Sequence, residues 1–170
     1  NVANNLALTS LSLYYNKITA LDISKNISLT YLNCDGNTLT SLDVSKNVAL
    51  TYLSSSYNKL TSLDVSKNKA LKTFSCGNNN LTTLDVSNNI ALTILNCSYN
   101  KLQTLNLKNG KNTLIEKSYL SLSGNTNLYF ILVDDVTYFN ANLTTYKDTT
   151  DSFNNLECIA LSLSSNNFTV

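Results

Sequence analysis

Apolar residues recur along this chain at a spacing that fits neither the 3.6-residue period of a helix nor one long alternating strand. From Leu50 the order runs Leu50-x-x-Leu53-x-Ser55-x-x-Asn58, and from Leu60 it runs Leu60-x-x-Leu63-x-Val65-x-x-Asn68. Together the two halves fill a frame of 21 residues, which restarts at Ser10, Tyr31, Tyr52, Thr73 and Ile94. Within Leu63-Asp64-Val65 a period of two puts Leu and Val on one side and Asp on the other. Stacking the frames aligns Leu8, Leu29, Leu50, Leu71 and Leu92 in one column. Leu21, Leu42, Leu63, Leu84 and Leu105 form a second, and Ile23, Val44, Val65, Val86 and Leu107 a third.

Self-similarity at this period with an L-x-x-L-x-L-x-x-N core is the signature of leucine-rich repeats. One coil cannot bury its apolar side alone, whereas stacked coils share a continuous core. Neighbouring rungs are expected about 4.8 Å apart, the spacing of paired strands. Asn16, Asn37, Asn58, Asn79 and Asn100 form one turn column, and Asn26, Asn47, Asn68 and Asn89 another. A carboxamide carries both donor and acceptor, so it can hold bent backbone without Pro and almost without Gly. The predicted fold is therefore a leucine-rich-repeat solenoid, mainly parallel β, with two strand segments per 21-residue coil and few or no helices. The array is expected over 1–114, a partial first rung and then five full ones, followed by a capping segment over 115–157 and a tail over 158–170. Val2, Asn5 and Leu8 match Val65, Asn68 and Leu71 three periods on, so the chain enters inside a rung. That open rung is expected to be covered by a longer array upstream or by something else, the plainer account being a short frayed rung that tolerates exposure.

Composition narrows the function. Lys and Arg total 12, all of them Lys, against 11 acids, for a net charge of +1. That balance offers no field for nucleic acid or a membrane surface, and no apolar run approaches the roughly 18 residues of a membrane-spanning helix. The chain starts at Asn1 without an apolar leader, so any signal peptide is expected to have been removed or left out. There is no His, Trp, Met or Pro. Without His, Ser–His and Cys–His nucleophile pairs are excluded, and the commonest general base and metal ligand is missing. No enzyme is expected. The adjacent acids Asp134 and Asp135 read as groups that hydrogen-bond the closing segment rather than as a catalytic pair.

The alternating "LDVSKN" and "LNC" half-repeats resemble the short nested leucine-rich repeats of secreted Bacteroidetes proteins, particularly flavobacterial ones. "LNLKNGKNTLI" (105–115) and "NTNLYFILVDDVTYFNANLTTYKDTTDSF" (125–153) resemble the segment that closes such arrays, and "LSSNNFTV" (163–170) resembles the lead-in to the sorting domain of type IX secretion substrates. This resemblance implies export to the cell surface or medium. Phe130, Thr126 and Leu143 stand where that family has Cys, Pro and Trp, which removes the partner of a disulfide to Cys158. Asp148-Thr149-Thr150 resembles a Bacteroidetes O-glycosylation motif.

Several columns carry candidate chemistry. Tyr14, Tyr31 and Tyr52, with Asn33 and Ser54 beside them and Tyr57 and Tyr99 at the adjacent turn, suit recognition of a protein or glycan surface; exposed Tyr also simply favours strands. Asp22, Asp43, Asp64 and Asp85 form an outward carboxylate column, which would suit a row of hard cations such as Ca²⁺. The plainer account is that Lys25, Lys46 and Lys67 and solvent salt offset the repulsion. Cys34, Cys76 and Cys97 share an inward column with Leu13 and Ser55, read as buried free thiols, although Cys76 and Cys97 sit on adjacent rungs and could pair. No C-x-x-C or His accompanies them, so no zinc or other metal site is expected. Thr9, Thr19, Thr30, Thr40, Thr51, Thr61, Thr82 and Thr93 form threonine rows that could match an ice lattice, broken at Lys72 and Gln103.

The expected function is a non-catalytic secreted or cell-surface module that binds protein or glycan, or mediates adhesion, through a rigid repeat face. A structural subunit docking through its open first rung is the alternative, with ice binding a minor third. No cofactor is expected beyond the Ca²⁺ that the aspartate column could take, and no nucleic-acid partner or membrane insertion.

Overall fold

A computed structural model describes residues 2, 4–111, 115, 119–135 and 137, together with the backbone of 159–161. Five short strands begin where the 21-residue frames begin: β1 (Ser10–Ser12), β2 (Tyr31–Asn33), β3 (Tyr52–Ser54), β4 (Thr73–Ser75) and, after β5 (Thr83–Asp85), β6 (Ile94–Asn96). Three more follow within the described chain, β7 (Thr104–Asn106), β8 (Leu120–Ser121) and β9 (Phe130–Leu132), and then β10 (Ile159–Leu161). They form two parallel sheets, a six-stranded one in the order β1-β2-β3-β4-β6-β8 and a four-stranded one in the order β10-β9-β7-β5. Register follows the repeat residue for residue, Tyr31 opposite Tyr52 and Leu32 opposite Leu53. The chain is a parallel β-solenoid of leucine-rich-repeat type.

The core is the set of stacked columns. Leu29, Leu50, Leu71 and Leu92 are fully buried, as are Val44, Val65 and Val86. Each such Leu contributes about 2 kcal/mol relative to an exposed one. Only the first coil departs: Val2, Leu8, Leu13, Ile18 and Leu21 are half-buried against the core. Cys34, Cys76 and Cys97 are free and buried, so the Cys76–Cys97 bridge left open by the spacing is not formed.

The second strand segment does not pair from the start. The four-stranded sheet begins at β5; the equivalent runs 41–43 and 62–64 follow the same inward-outward alternation without strand pairing. Beyond the array, both sheets carry on: Leu95 faces Leu120, and Leu105 faces Ile131. Residues 119–135, in the segment expected to close the array, thus form a further coil. Cys158, Leu143, the Asp148-Thr149-Thr150 motif and 163–170 lie outside the described residues.

Candidate interaction face

The outward surface of the six-stranded sheet is three columns wide. Parallel in-register pairing puts like over like, so Tyr31 and Tyr52 meet as cross-strand neighbours. Their rings stack with centroids 4.4 Å apart and planes 12° from parallel. Both are half-buried, flanked across the strands by Ser10 on one side and Thr73 on the other. Burial, and then the neighbouring Tyr31, pushes the Tyr52 phenol upward, while Ser54 acts in the opposite direction.

Beside this pair lies Asp35, a residue the sequence reading did not single out. Its Oδ1 and Oδ2 accept the Ser54 hydroxyl at 2.7 and 2.8 Å, and Oδ1 also accepts the Ser56 backbone N–H at 2.6 Å. Asn33 Oδ1 accepts the Asp35 N–H at 3.0 Å, which holds the backbone that aims the carboxylate at the next coil. Ser54 is buried and its hydroxyl donates to Asp35, so it acts as a floor for the carboxylate rather than as a contact group. The signal for Asp35 was present: its column otherwise reads Tyr14, Ser56, Gly77 and Ser98. In the first coil Tyr14 holds the position that Asp35 holds in the second.

Tyr57 and Tyr99 stand at the turn beside this face. With Tyr15 they line the turn at the end of the six-stranded sheet, in left-handed backbone with φ of 51, 55 and 52° for Tyr15, Tyr57 and Tyr99. A bulky residue in that region costs about 1–2 kcal/mol. The interleaved positions are Gly36, Asn78 and Gly124, at φ 63, 54 and 72°. Gly36 is required twice over, since a Cβ there would also fall 2.6 Å from Tyr15 Cδ1. The tyrosines are therefore split between a stacked pair on the sheet and an exposed ridge along the turn, with Tyr14 edge-to-face on Tyr15 at 5.9 Å.

On the opposite side, Asp22, Asp43, Asp64 and Asp85 are exposed as expected. Each Oδ1 accepts the backbone N–H two residues on, from Ser24, Ser45, Ser66 and Ser87, at 2.8–3.0 Å. These backbone N–H groups, then the serine hydroxyls and more weakly Lys25, Lys46 and Lys67, hold Asp22, Asp43 and Asp64 below the usual carboxylate range; Asp43 acts against this at Asp64. Among the described residues no three carboxylates or thiols gather in a group that could hold a metal ion. In the threonine rows, Thr30 and Thr51 donate their hydroxyls to the carbonyls of Thr9 and Thr30 at 3.1 Å. Those hydrogens serve the ladder instead of facing outward.

No protein-family model matches the chain, and no curated protein does. Among solved structures it is similar to the functional domain of InlJ from Listeria monocytogenes, which includes a cysteine ladder, at 36% identity and a TM-score of 0.67 over 81% of this chain and 33% of that one. It is also similar to a leucine-rich-repeat protein of Leptospira interrogans, at 29% identity and a TM-score of 0.56, over 75% and 31% of the two chains. The chain spans about a third of the length of these structures. Among the described residues no helix is long and apolar enough to cross a membrane.

Proposed function

We propose that this leucine-rich-repeat solenoid is a non-catalytic binding module that engages a protein through the outward face of its six-stranded sheet. The observation that carries this reading is the half-buried Tyr31–Tyr52 stack set beside a single carboxylate. Solenoids present long rigid faces of this kind, and stacked aromatics bury large area at low entropic cost. Export to a bacterial cell surface or the medium fits the resemblance of the repeats to secreted Bacteroidetes proteins and the similarity to bacterial leucine-rich-repeat structures. To test the face, binders selected from a displayed random-peptide library are measured against Tyr52→Ala, which should abolish their binding while the thermal midpoint stays within a few degrees. Binders indifferent to Tyr52→Ala would place recognition elsewhere.

A second reading rests on the first coil. Leu8, Leu13 and Leu21 are half-buried where their column mates are buried, and β1 is a sheet edge. Asn16 donates only within its own coil, to Leu13 O and Tyr14 O, whereas Asn37 reaches back to Leu13 O in the preceding coil. A further coil of the same design, on this chain or another, completes all of these groups. If another chain supplies it, Leu8→Glu should lower the mass of the assembly in solution; an unchanged mass removes docking of another chain at this coil.

A further inference from the structure

Resting on the sheet-face reading, we propose that the partner enters this face with a basic side chain, Arg or Lys, whose charged end meets Asp35 and whose methylene stem lies along the Tyr31–Tyr52 pair. Charge complementarity carries the choice. Among the described residues, Asp35 is the one charged side chain in the three outward columns of the six-stranded sheet; the others are Ser, Thr, Asn, Tyr, Ile and Gly. The carboxylate is half-buried and held in place by Ser54 and Ser56. Oδ1 takes two donors, the Ser56 N–H and a share of the Ser54 hydroxyl, while Oδ2 shares only that hydroxyl. An ionised carboxylate oxygen accepts about two hydrogen bonds, so Oδ2 keeps capacity for a donor from outside.

The neighbours fit the rest of such a side chain. A Lys or Arg stem is apolar and its head is not, so it suits a site with aromatic surface at one end and an anion at the other. Ser54, whose hydroxyl holds Asp35, stands two residues from Tyr52 on the same side of β3, which places the ring and the carboxylate within one side chain's reach. A neutral sugar would leave Asp35 without a countercharge, and a bare divalent cation would leave the ring pair without a use.

The test again uses random peptides selected against the full chain, with the winners remade synthetically. They should carry an essential Arg or Lys, and replacing that Arg with citrulline, or that Lys with norleucine, should weaken binding about tenfold, as for a charge pair made at a partly desolvated interface. Asp35→Asn should cost the same factor, and on that background the peptide replacement should cost little more. Asn keeps an Oδ1 for Ser54 and Ser56, so the fold should stand, and the thermal midpoint confirms it. Peptides that need Tyr52 yet ignore both Asp35→Asn and the neutral replacements overturn this inference and leave the sheet-face reading intact. Peptides that ignore Tyr52→Ala overturn both, as does binding to arrayed glycans with none to peptides.

Discussion

Each coil is written twice, and its two halves are built from the same template, yet they solve the same problem differently. In the first half, Leu50 to Asn58, the strand pairs with its neighbours along the whole array and the turn asparagine is satisfied at both ends. Asn79 donates to Ser55 O at 2.9 Å and Cys76 O at 3.0 Å, while its Oδ1 accepts Leu60 N–H at 3.0 Å. In the second half, Leu60 to Asn68, Asn68 donates to Val44 O and Asn47 O at 3.1 and 2.9 Å, and its Oδ1 has no partner. The reason lies in the backbone. There the N–H groups close tight turns within the coil, Asn68 N to Val65 O and Leu71 N to Asn68 O, both at 3.0 Å. In the first half the N–H groups cross to neighbouring coils, Lys59 N to Leu39 O and Tyr57 N to Gly77 O. Local turns leave no donor to reach the carboxamide oxygen. Stacking strength therefore belongs to the first half, which is also the half that carries the aromatic face.

The largest way to separate the halves is alkaline pH, because their third inward position differs: Cys34, Cys76 and Cys97 in the first, Val44, Val65 and Val86 in the second. Burial pushes Cys34 and Cys97 up to about 12, and Cys76 well above its ordinary value. The fold holds the protonated thiols, whereas an unfolded chain ionises them near pH 9. Their stabilising effect is thus complete below pH 9 and lost as pH rises towards 12. Each thiol should remove about 1.4 kcal/mol per pH unit across that window. Denaturant melts of the native chain and of a Cys76→Ala/Cys97→Ala variant check this: the variant's slope against pH should be shallower. Cys34, Cys76 and Cys97 should also resist alkylation at pH 8 and react once the chain is unfolded.

Next in size is the pair of asparagines. Asn79→Ala strands the buried Leu60 N–H, and an unsatisfied buried donor plus the lost bonds costs about 3 kcal/mol. Asn68→Ala strands nothing comparable, since Val44 O and Asn47 O keep the N–H groups of Asn47 and Leu50. It also deletes an unpartnered oxygen, and should cost only about 1 kcal/mol. Equal losses in urea melts would show that the two ladders do the same work.

The repeat was legible because every coil must bury the same leucines, and Leu50, Leu71 and Leu92 can face only one way in a shared core. The strand starts at Tyr31, Tyr52 and Thr73 followed from the frame alone. What lay beyond reach were relations between neighbouring coils. Nothing in the sequence pattern distinguishes Asn68 from Asn79, because their difference is in which backbone donors the turns consume. Asp35 was missed because column reading looks for what repeats, and its importance comes from not repeating. The sequence already separated Tyr57 and Tyr99, at the turn, from Tyr31 and Tyr52 on the sheet; what it could not show was the left-handed backbone they adopt there.

The smallest expected effect asks why the second half pairs late. Every step of the aspartate column, from Asp22 to Asp43, Asp64 and Asp85, coincides with a step where strands fail to pair. Pairing begins at the first step without a like charge, where Asp85 faces Asn106 and Asn106 Nδ2 donates to Asp85 Oδ2 at 3.2 Å. Like charges directly opposite disfavour cross-strand pairing. Asp64→Asn removes the like charge from both of its steps, to Asp43 and to Asp85, and should therefore extend the four-stranded sheet by two strands, over 62–64 and 41–43. The local turn should survive, because Asn106 Oδ1 accepts the N–H of Lys108 at 3.1 Å just as Asp64 Oδ1 accepts that of Ser66. The gain in stability should be about 0.5 kcal/mol, and amide exchange should slow at 62–66 and not at 52–54. Raising salt should stabilise the native chain more than the variant, since screening relieves the same repulsion. Unchanged exchange at 62–66 would mean that the turn geometry, and not the charge column, keeps these strands apart.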